Sequence, residues 1–405
     1  MADRITVIGW DGTPLTEAAA AALGAATLVA GAPYQLNALP VPPGAERIIL
    51  GSVETAARRI AEHRGAVVVV AEGDPGFFGV VRTLRRPEYG LELEVLPAVS
   101  SVAAAFARAG MAWEDAQVVS THGGRLRKAA NVCRAHPKVA VLTSPDAGPS
   151  ELALMLRGVH RTFVVCEALG TEDEDVTVLT SDRVPDHNWR DPNVVLVIGG
   201  STAHQPTGAT AGWLAGRPVG YPPAERSWAL PPEAYDDERQ TTLGAQTRAV
   251  VLAHLGPAPG DLVWTVGAGT GALAVEAARF GAAVVAVEES AATCARIAVN
   301  ARRYGVELET AAGRAPEVLG ELPEPDAVVV ERGGATVVAA VLTRRPSRLV
   351  AWTAAAAEAA EIRAVTAAAG YRVAGAFLQS APLDLSDGVE VGVSESGYLV
   401  WAELA

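Results

Sequence analysis

Apolar residues in this chain follow two alternating rhythms. Short runs of Val, Ile and Leu, too continuous to leave one face polar, alternate with alanine-rich stretches of helical period. In the first half the runs fall at 5–8, 27–30, 47–50, 66–71, 93–96, 117–120, 139–142, 162–166 and 194–198. Helical patterns fill most of the gaps, among them 53–63, 102–109 and 149–156. Strands alternating with helices predict α/β layers with largely parallel sheets. The character changes at Gly199. Gly199-Gly-Ser-Thr, Gly216-Arg-Pro-Val-Gly-Tyr-Pro-Pro and Leu230-Pro-Pro mark a connector whose prolines and glycines oppose regular structure. Helical period returns over 245–255 and a strand follows. The expectation is an α/β unit over 1–200, a linker over 201–238 and a second α/β unit over 239–405.

Two strand ends carry glycine-rich turns. In the second unit, Asp261-Leu-Val-Trp-Thr-Val266 runs into Gly267-Ala-Gly269-Thr-Gly271, then a helical stretch, then the apolar run 283–287 ending in Glu288-Glu289. Glu288 stands 21 positions after Gly267, which places a carboxylate beside the glycine turn, able to accept hydrogen bonds from both hydroxyls of a ribose. The turn lacks the third glycine of a pyrophosphate-binding G-x-G-x-x-G, so it suits S-adenosylmethionine (SAM), with a ribose and no phosphate, better than NAD. Leu308-Glu-Thr-Ala-Ala-Gly313 and Asp326-Ala-Val-Val-Val330 continue the strand series. In the first unit, Val67-Val-Val-Val-Ala71 delivers Glu72-Gly73-Asp74-Pro75-Gly76 at its carboxyl end, where open α/β sheets bind ligands. Gly73 and Gly76 let backbone amides approach a ligand, and Asp74 can hold a polar group. Pro97-Ala-Val-Ser100-Ser101 follows another strand; its serines serve either a ligand or the cap of the next helix.

Bulk properties narrow the class. The 405 residues carry a net charge of −13, which opposes binding to nucleic-acid phosphates. Cys133, Cys166 and Cys294 lie far apart, and no histidine or carboxylate cluster has metal-ligand spacing, so neither a disulfide framework nor a metal site is expected. The chain opens on a strand rather than a signal peptide, and the apolar stretch 18–32 is broken by Gly24, Thr27 and Gly31 and is too short to span a bilayer. A cytoplasmic protein is expected.

Taken together, the motifs resemble a known family. Glu72-Gly-Asp-Pro-Gly-Phe-Phe-Gly79, Pro97-Ala-Val-Ser-Ser101, Phe106-Ala-Arg-Ala-Gly110-Met-Ala-Trp-Glu-Asp115 and Ser120-Thr-His122-Gly resemble the tetrapyrrole methylases, and among them the corrin-ring methylases of cobalamin biosynthesis. Gly260-Asp-Leu-Val-Trp through Gly271, with Asn300-Ala-Arg-Arg-Tyr-Gly305, resembles their usual fusion partner, a Rossmann-like class I SAM-dependent methyltransferase that also decarboxylates. The order of the two units is that of the fused precorrin-6Y methyltransferase family. The resemblance implies a two-lobed N-terminal fold, methylation of ring carbons 5 and 15, and loss of an acetate carboxyl. It implies one SAM among Gly9, Gly73, Asp74, Gly76, Ser100 and Ser101, with Leu142, Thr143 and Glu167 from a second lobe. A second SAM would lie against Gly267, Gly269 and Gly271, with Glu288 on its ribose. The expected partner is a small-molecule tetrapyrrole rather than nucleic acid or membrane, and the enzyme is expected to be a homo-oligomer.

Catalytic residues are less legible. Methyl transfer needs alignment more than acid–base chemistry. His122 is the candidate catalytic group; hydrogen bonding within its own turn is the competing role. Arg82, Arg85 and Arg86, and Arg125, Arg127 and Lys128, are candidate partners for the substrate carboxylates, or else solvated helix faces. Several positions depart from the family. Thr265 and Arg314 stand where acids are usual, Thr242-Leu243-Gly244 replaces a more polar lead into the first helix, and Glu331-Arg332 precede Gly333-Gly334. Glu72 replaces a serine, and Gly9-Trp-Asp-Gly12 is a shortened turn. These departures keep open a paralogue acting on another substrate, or a C-terminal half without SAM that serves as a scaffold.

Overall fold

The computed structural model of the protein describes residues 5–51, 53–199, 215, 228–236, 243–381, 383–384, 389–392 and 395–404. Most of the expected linker, and Thr242, lie outside the described residues.

The first half forms two sheets. One contains β1 (Ile5–Trp10), β2 (Leu28–Gly31), β3 (Glu46–Ile49), β4 (Val67–Glu72) and β5 (Leu93–Leu96), in the order β3-β2-β4-β1-β5 and parallel throughout. The other contains β6 (Gln117–Ser120), β7 (Lys138–Leu142), β8 (Thr162–Glu167), β9 (Asp175–Thr180) and β10 (Asn193–Ile198), in the order β6-β7-β10-β8-β9. Here only the β6–β7 pair is parallel, so the expectation of largely parallel pairing does not extend to this sheet. β8 turns directly back into β9 without a helical crossover, which dictates antiparallel pairing. Seven helices accompany these sheets: α1 (Glu17–Gly24), α2 (Pro33–Ala38), α3 (Val53–Glu62), α4 (Val81–Leu84), α5 (Ser101–Ala109), α6 (Leu126–Ala135) and α7 (Pro149–Met155).

The second half is one seven-stranded sheet. Its strands are β11 (Leu262–Val266), β12 (Ala283–Glu288), β13 (Glu309–Ala312), β14 (Ala327–Val330), β15 (Arg348–Thr353), β16 (Tyr371–Ser380) and, after the small ribbon β17 (Leu383–Asp384) with β18 (Glu390–Val391), β19 (Glu395–Leu404). The order is β13-β12-β11-β14-β15-β19-β16, with β19 antiparallel to both neighbours. The helices are α8 (Ala245–Leu255), α9 (Ala272–Arg279), α10 (Ala291–Arg303), α11 (Gly334–Leu342) and α12 (Ala356–Ala368). β11, β12 and β14 are buried on both faces, as their unbroken apolar runs require. The described end of the connector packs on this half. Leu230 and Tyr235 are buried against α9 and α10, and Trp228 stacks on Phe280 at 3.8 Å.

Helix α6 joins the halves. It covers the amino ends of the C-terminal strands. Asn131 Nδ2 donates to the Gly260 carbonyl at 3.0 Å, just before β11, and Arg134 pairs with Glu309 at the start of β13. Arg161 donates to Glu307 at 2.5 Å. Asp326, immediately before β14, is the hub. Its carboxylate accepts from Arg127, from Asn131 Nδ2 at 3.3 Å and from the Leu262 N–H at 2.8 Å. Removing that carboxylate strands the Leu262 N–H and takes one bond from each of two side chains that keep a carbonyl partner, Gly260 for Asn131 and Glu324 for Arg127. Asp326→Ala should therefore lower stability by about 3 kcal/mol in denaturant unfolding. Arg127→Ala should lower it by less than about 1 kcal/mol, because the Arg127 side chain is 43% exposed.

Candidate functional sites

The N-terminal site is a cleft of about 340 Å³ between the two lobes. Its floor is the carboxyl ends of β1 and β4, with Trp10, Asp11, Gly12, Glu72 and Gly73; Val99, Ser101 and Ala104 add the start of α5. The second lobe closes it with Ala168, Leu169, Thr171 and Asp173 after β8, and with Asp191 and Pro192 before β10. Carboxyls from both lobes (Asp11, Glu72, Asp173, Asp191) line this cleft, and no lysine or arginine does so among the described residues.

Local hydrogen bonds fix the acids. Asp11 lies under burial that would raise its pKa, but bonds from the Thr13 side chain (2.6 Å) and N–H (3.1 Å) and from the Val99 N–H (3.4 Å) hold it below the ordinary range. Glu72 is raised, first by the protein packed around its carboxyl and further by Asp191, against a hydrogen bond from the Tyr34 hydroxyl at 3.4 Å. Asp191 is raised by burial and by Glu151, with His122 opposing.

Of the residues expected to surround a ligand, Gly73 and Ser101 line the cleft. Gly9 serves the backbone instead: a Cβ there would lie 2.2 Å from the Gly73 carbonyl oxygen and 2.6 Å from the Ala98 nitrogen. Asp74 accepts the Gly76 N–H at 2.8 Å, closing the turn, and Ser100 caps α5 by accepting from the Ala103 N–H at 3.1 Å. Leu142 ends β7, where its carbonyl accepts the Thr121 N–H at 3.0 Å. Thr143 is buried and donates to the Asn193 carbonyl at 2.7 Å, while Glu167 at the end of β8 accepts the Arg190 N–H at 2.5 Å. His122 shares a 2.9 Å hydrogen bond with Ser120 Oγ in its own turn; burial lowers its pKa and Asp191 opposes that. Arg82, Arg85 and Arg125 are exposed, with Arg125 donating to the His122 carbonyl at 3.1 Å. Arg127 instead faces the C-terminal half, paired with Asp326, and Arg86 pairs with Glu54 at 3.5 Å. The residues missed by sequence, from Trp10 to Pro192, come together only when the second lobe folds over β1.

The C-terminal site sits at the carboxyl ends of β11, β12 and β14. Gly267, Gly269 and Gly271 all take positive φ (73°, 55° and 81°), so the turn needs glycine. Glu288 is buried; one oxygen accepts the Gly269 N–H at 3.0 Å and the other the Ser290 N–H at 3.1 Å. A carboxylate has about four acceptor positions, so both oxygens keep one for a ligand. Asn300 braces the turn by donating to the Thr270 carbonyl at 2.9 Å. Arg248, fully buried, pairs with Glu276 at 3.3 Å and donates to the Leu243 and Leu230 carbonyls, so it binds the connector rather than the site. Arg314 is exposed. Two buried polar atoms at this edge, Thr265 Oγ1 and Glu331 Oε1, have no hydrogen-bond partner.

The lobes meet backbone to backbone at the rim of the N-terminal cleft. A Cβ on Gly170, which has φ +77°, would lie 1.8 Å from the Asp11 carbonyl oxygen. Gly170→Ala must therefore push the lobes apart. It should lower stability by about 3 kcal/mol, from the left-handed backbone and the clash together, read as an earlier unfolding transition.

Two family descriptions match the chain, one in each half. Residues 11–185 match the Tetrapyrrole (Corrin/Porphyrin) Methylases and residues 233–390 the Precorrin methyltransferase domain. A precorrin-6Y C(5,15)-methyltransferase (decarboxylating) from a Sinorhizobium species is 35% identical over 292 residues, 70% of this chain and 67% of that protein. One of the same description from Mycobacterium tuberculosis is 31% identical over 344 residues, 81% of this chain and 80% of that protein. A cobalt-precorrin-7 C(5)-methyltransferase from Salmonella typhimurium is 35% identical over 170 residues, 40% of this chain and 82% of that protein. Two α/β units in this order, each with a ligand edge, and relatives of one description across most of the chain lead to one conclusion: the protein is a methyltransferase of the precorrin-6Y C(5,15)-methyltransferase (decarboxylating) family.

Proposed function

We propose that the chain methylates precorrin-6Y at ring carbons 5 and 15 and removes an acetate carboxyl, using one SAM in each half. Similarity to relatives named for that reaction supports the substrate. The observation that carries the donor is the charge of the N-terminal cleft: carboxyls from both lobes and no basic side chain among its described lining residues. Such a cleft attracts a sulfonium and repels the pyrophosphate of NAD. In the C-terminal site the free acceptor positions of Glu288 suit ribose hydroxyls, and the unpartnered Thr265 and Glu331 atoms suit a ligand with donors.

Bound SAM supplies an electrophilic methyl group. The chain supplies position. The glycine turns bring backbone close to the ligand, and the lobes enclose the cleft so that a ring carbon meets the methyl in line, away from water. The tetrapyrrole carboxylates need cations, and the exposed Arg82, Arg85, Arg125 and Lys128 are the candidate residues left for them once Arg127 and Arg86 are paired.

A second reading, a C-terminal half without SAM, draws on the exposed Arg314 at a position where the family usually has an acid. Calorimetric titration with SAM separates the two. Two sites are expected, one lost in Gly269→Arg and the other in Ala104→Trp, which fills the N-terminal cleft. A single site, lost only in Ala104→Trp, would remove the C-terminal half from the chemistry.

The N-terminal site should also respond to acid. Glu72 and Asp191 have raised pKa values, so as pH falls they lose their charge before ordinary carboxylates do. Affinity for the cation should therefore decline from above the ordinary carboxylate range. Glu72→Gln should weaken binding at neutral pH by about fivefold and flatten the decline, as expected for an interaction of ~1 kcal/mol in solvent-exposed surroundings.

A further inference from the structure

Glu331 is an acid with no counterpart in the chemistry described so far. Val329 lies opposite Thr265 in the β11–β14 register, and the Glu331 N–H extends that ladder by donating to the Val266 carbonyl at 2.9 Å. Side chains alternate along a strand, so Thr265 and Glu331 share one face of the sheet. Ala286 lies opposite Thr265 on the other side, which puts Glu288 on that same face. Three side chains with acceptor oxygens thus crowd one edge beside the glycine turn. Thr265 Oγ1 and Glu331 Oε1 are buried without partners, a condition that folded proteins almost always avoid. Arg248 does not relieve it, since its donors go to Glu276, Leu243 and Leu230.

A ligand that satisfies this edge must donate hydrogen bonds to the open oxygens of Thr265 and Glu331. A carboxylate or phosphate brings acceptors, and a sugar hydroxyl brings one donor without charge. An ammonium brings three donors and favours the ionised form of the carboxyl that receives it. We propose that Glu331, backed by Thr265, receives the α-ammonium of the amino-acid end of SAM in the C-terminal site. The assignment rests on SAM binding there, and adds the residue that recognises its amino-acid part. It also accounts for an acid directly after β14 in a chain whose β11 carries a threonine on the same face.

A proton linkage follows. Burial, with a contribution from Glu288, raises the Glu331 pKa to about 8 against the pull of Arg332 and Arg248. In the free protein at neutral pH the carboxyl therefore holds its proton. An arriving ammonium favours the carboxylate, and the proton leaves to solvent. Affinity should rise with pH below about 8 and lose that slope when residue 331 cannot ionise.

The test uses the full chain with the N-terminal cleft filled by Ala104→Trp, titrated with SAM in two buffers of different ionisation enthalpy. The range is pH 6 to 7, where an ordinary α-ammonium, with pKa about 7.7–8.0, stays charged. The expected result is release of close to one proton per SAM and an affinity rising nearly tenfold per pH unit. Glu331→Gln should abolish both and weaken SAM roughly ten- to hundredfold, the range of a charge-assisted hydrogen bond. Methylthioadenosine, which lacks the amino-acid end, should bind both proteins equally. Unchanged SAM affinity or proton release in Glu331→Gln, or an equal loss for methylthioadenosine, overturns the assignment. If neither compound binds before Glu331 is altered, the SAM reading of the site falls and the assignment with it. The same titrations in the otherwise wild-type chain, read from its second binding step, guard against misfolding of Ala104→Trp.

Discussion

The structure depends on how a parallel sheet divides its two edges. Loops leaving the carboxyl ends of the strands gather the ligand groups, while the amino ends are left to be covered. In the C-terminal half the cover is α6 of the N-terminal half, and Asp326 makes the joint specific by accepting from α6 and from β11 together. Gly267 to Gly271 lie at the other end of strands that rise about 3.3 Å per residue. The N-terminal half is thus fastened at the end of the sheet opposite the C-terminal site.

Charge is distributed to match. The chain carries an excess of acid, yet the substrate proposed for it is a polycarboxylate. The acids at the two ligand edges suit the proposed cationic donor, and several arginines are taken up in structure: Arg134 and Arg161 bind glutamates of the other half, and Arg248 lies fully buried beside Glu276. Arg82, Arg85, Arg125 and Lys128 stay exposed and are the proposed contacts for the substrate.

Much of this was legible in the residues. The apolar runs locate β1 to β8 and β10 to β14, because a strand buried on both faces leaves an unbroken signature, while β15 to β19 lie beyond the runs picked out in the sequence. β9 escapes because Asp175-Val-Thr-Val-Leu-Thr180 is an edge strand whose alternation resembles a polar loop. The C-terminal glycine turn and Glu288 are local and read directly. The N-terminal cleft is not local: Asp11, Asp173 and Asp191 meet only after the lobes close, and no spacing rule connects them. Ser100 holds the helix cap that the sequence offered as one of its two roles, and Asp74 closes its own turn. Arg127 looked available to substrate because its partner, Asp326, lies 199 positions away.

The central claim is that each half performs one methylation. The most direct measurement is mass spectrometry of the product formed from precorrin-6Y and SAM by the wild-type chain and by the Gly269→Arg and Ala104→Trp variants. The account predicts two added methyl groups and loss of carbon dioxide with the wild type, and one added methyl group, on a different ring carbon, with each variant. Two methyl groups added by either variant would show that one site does both, and would contradict the account.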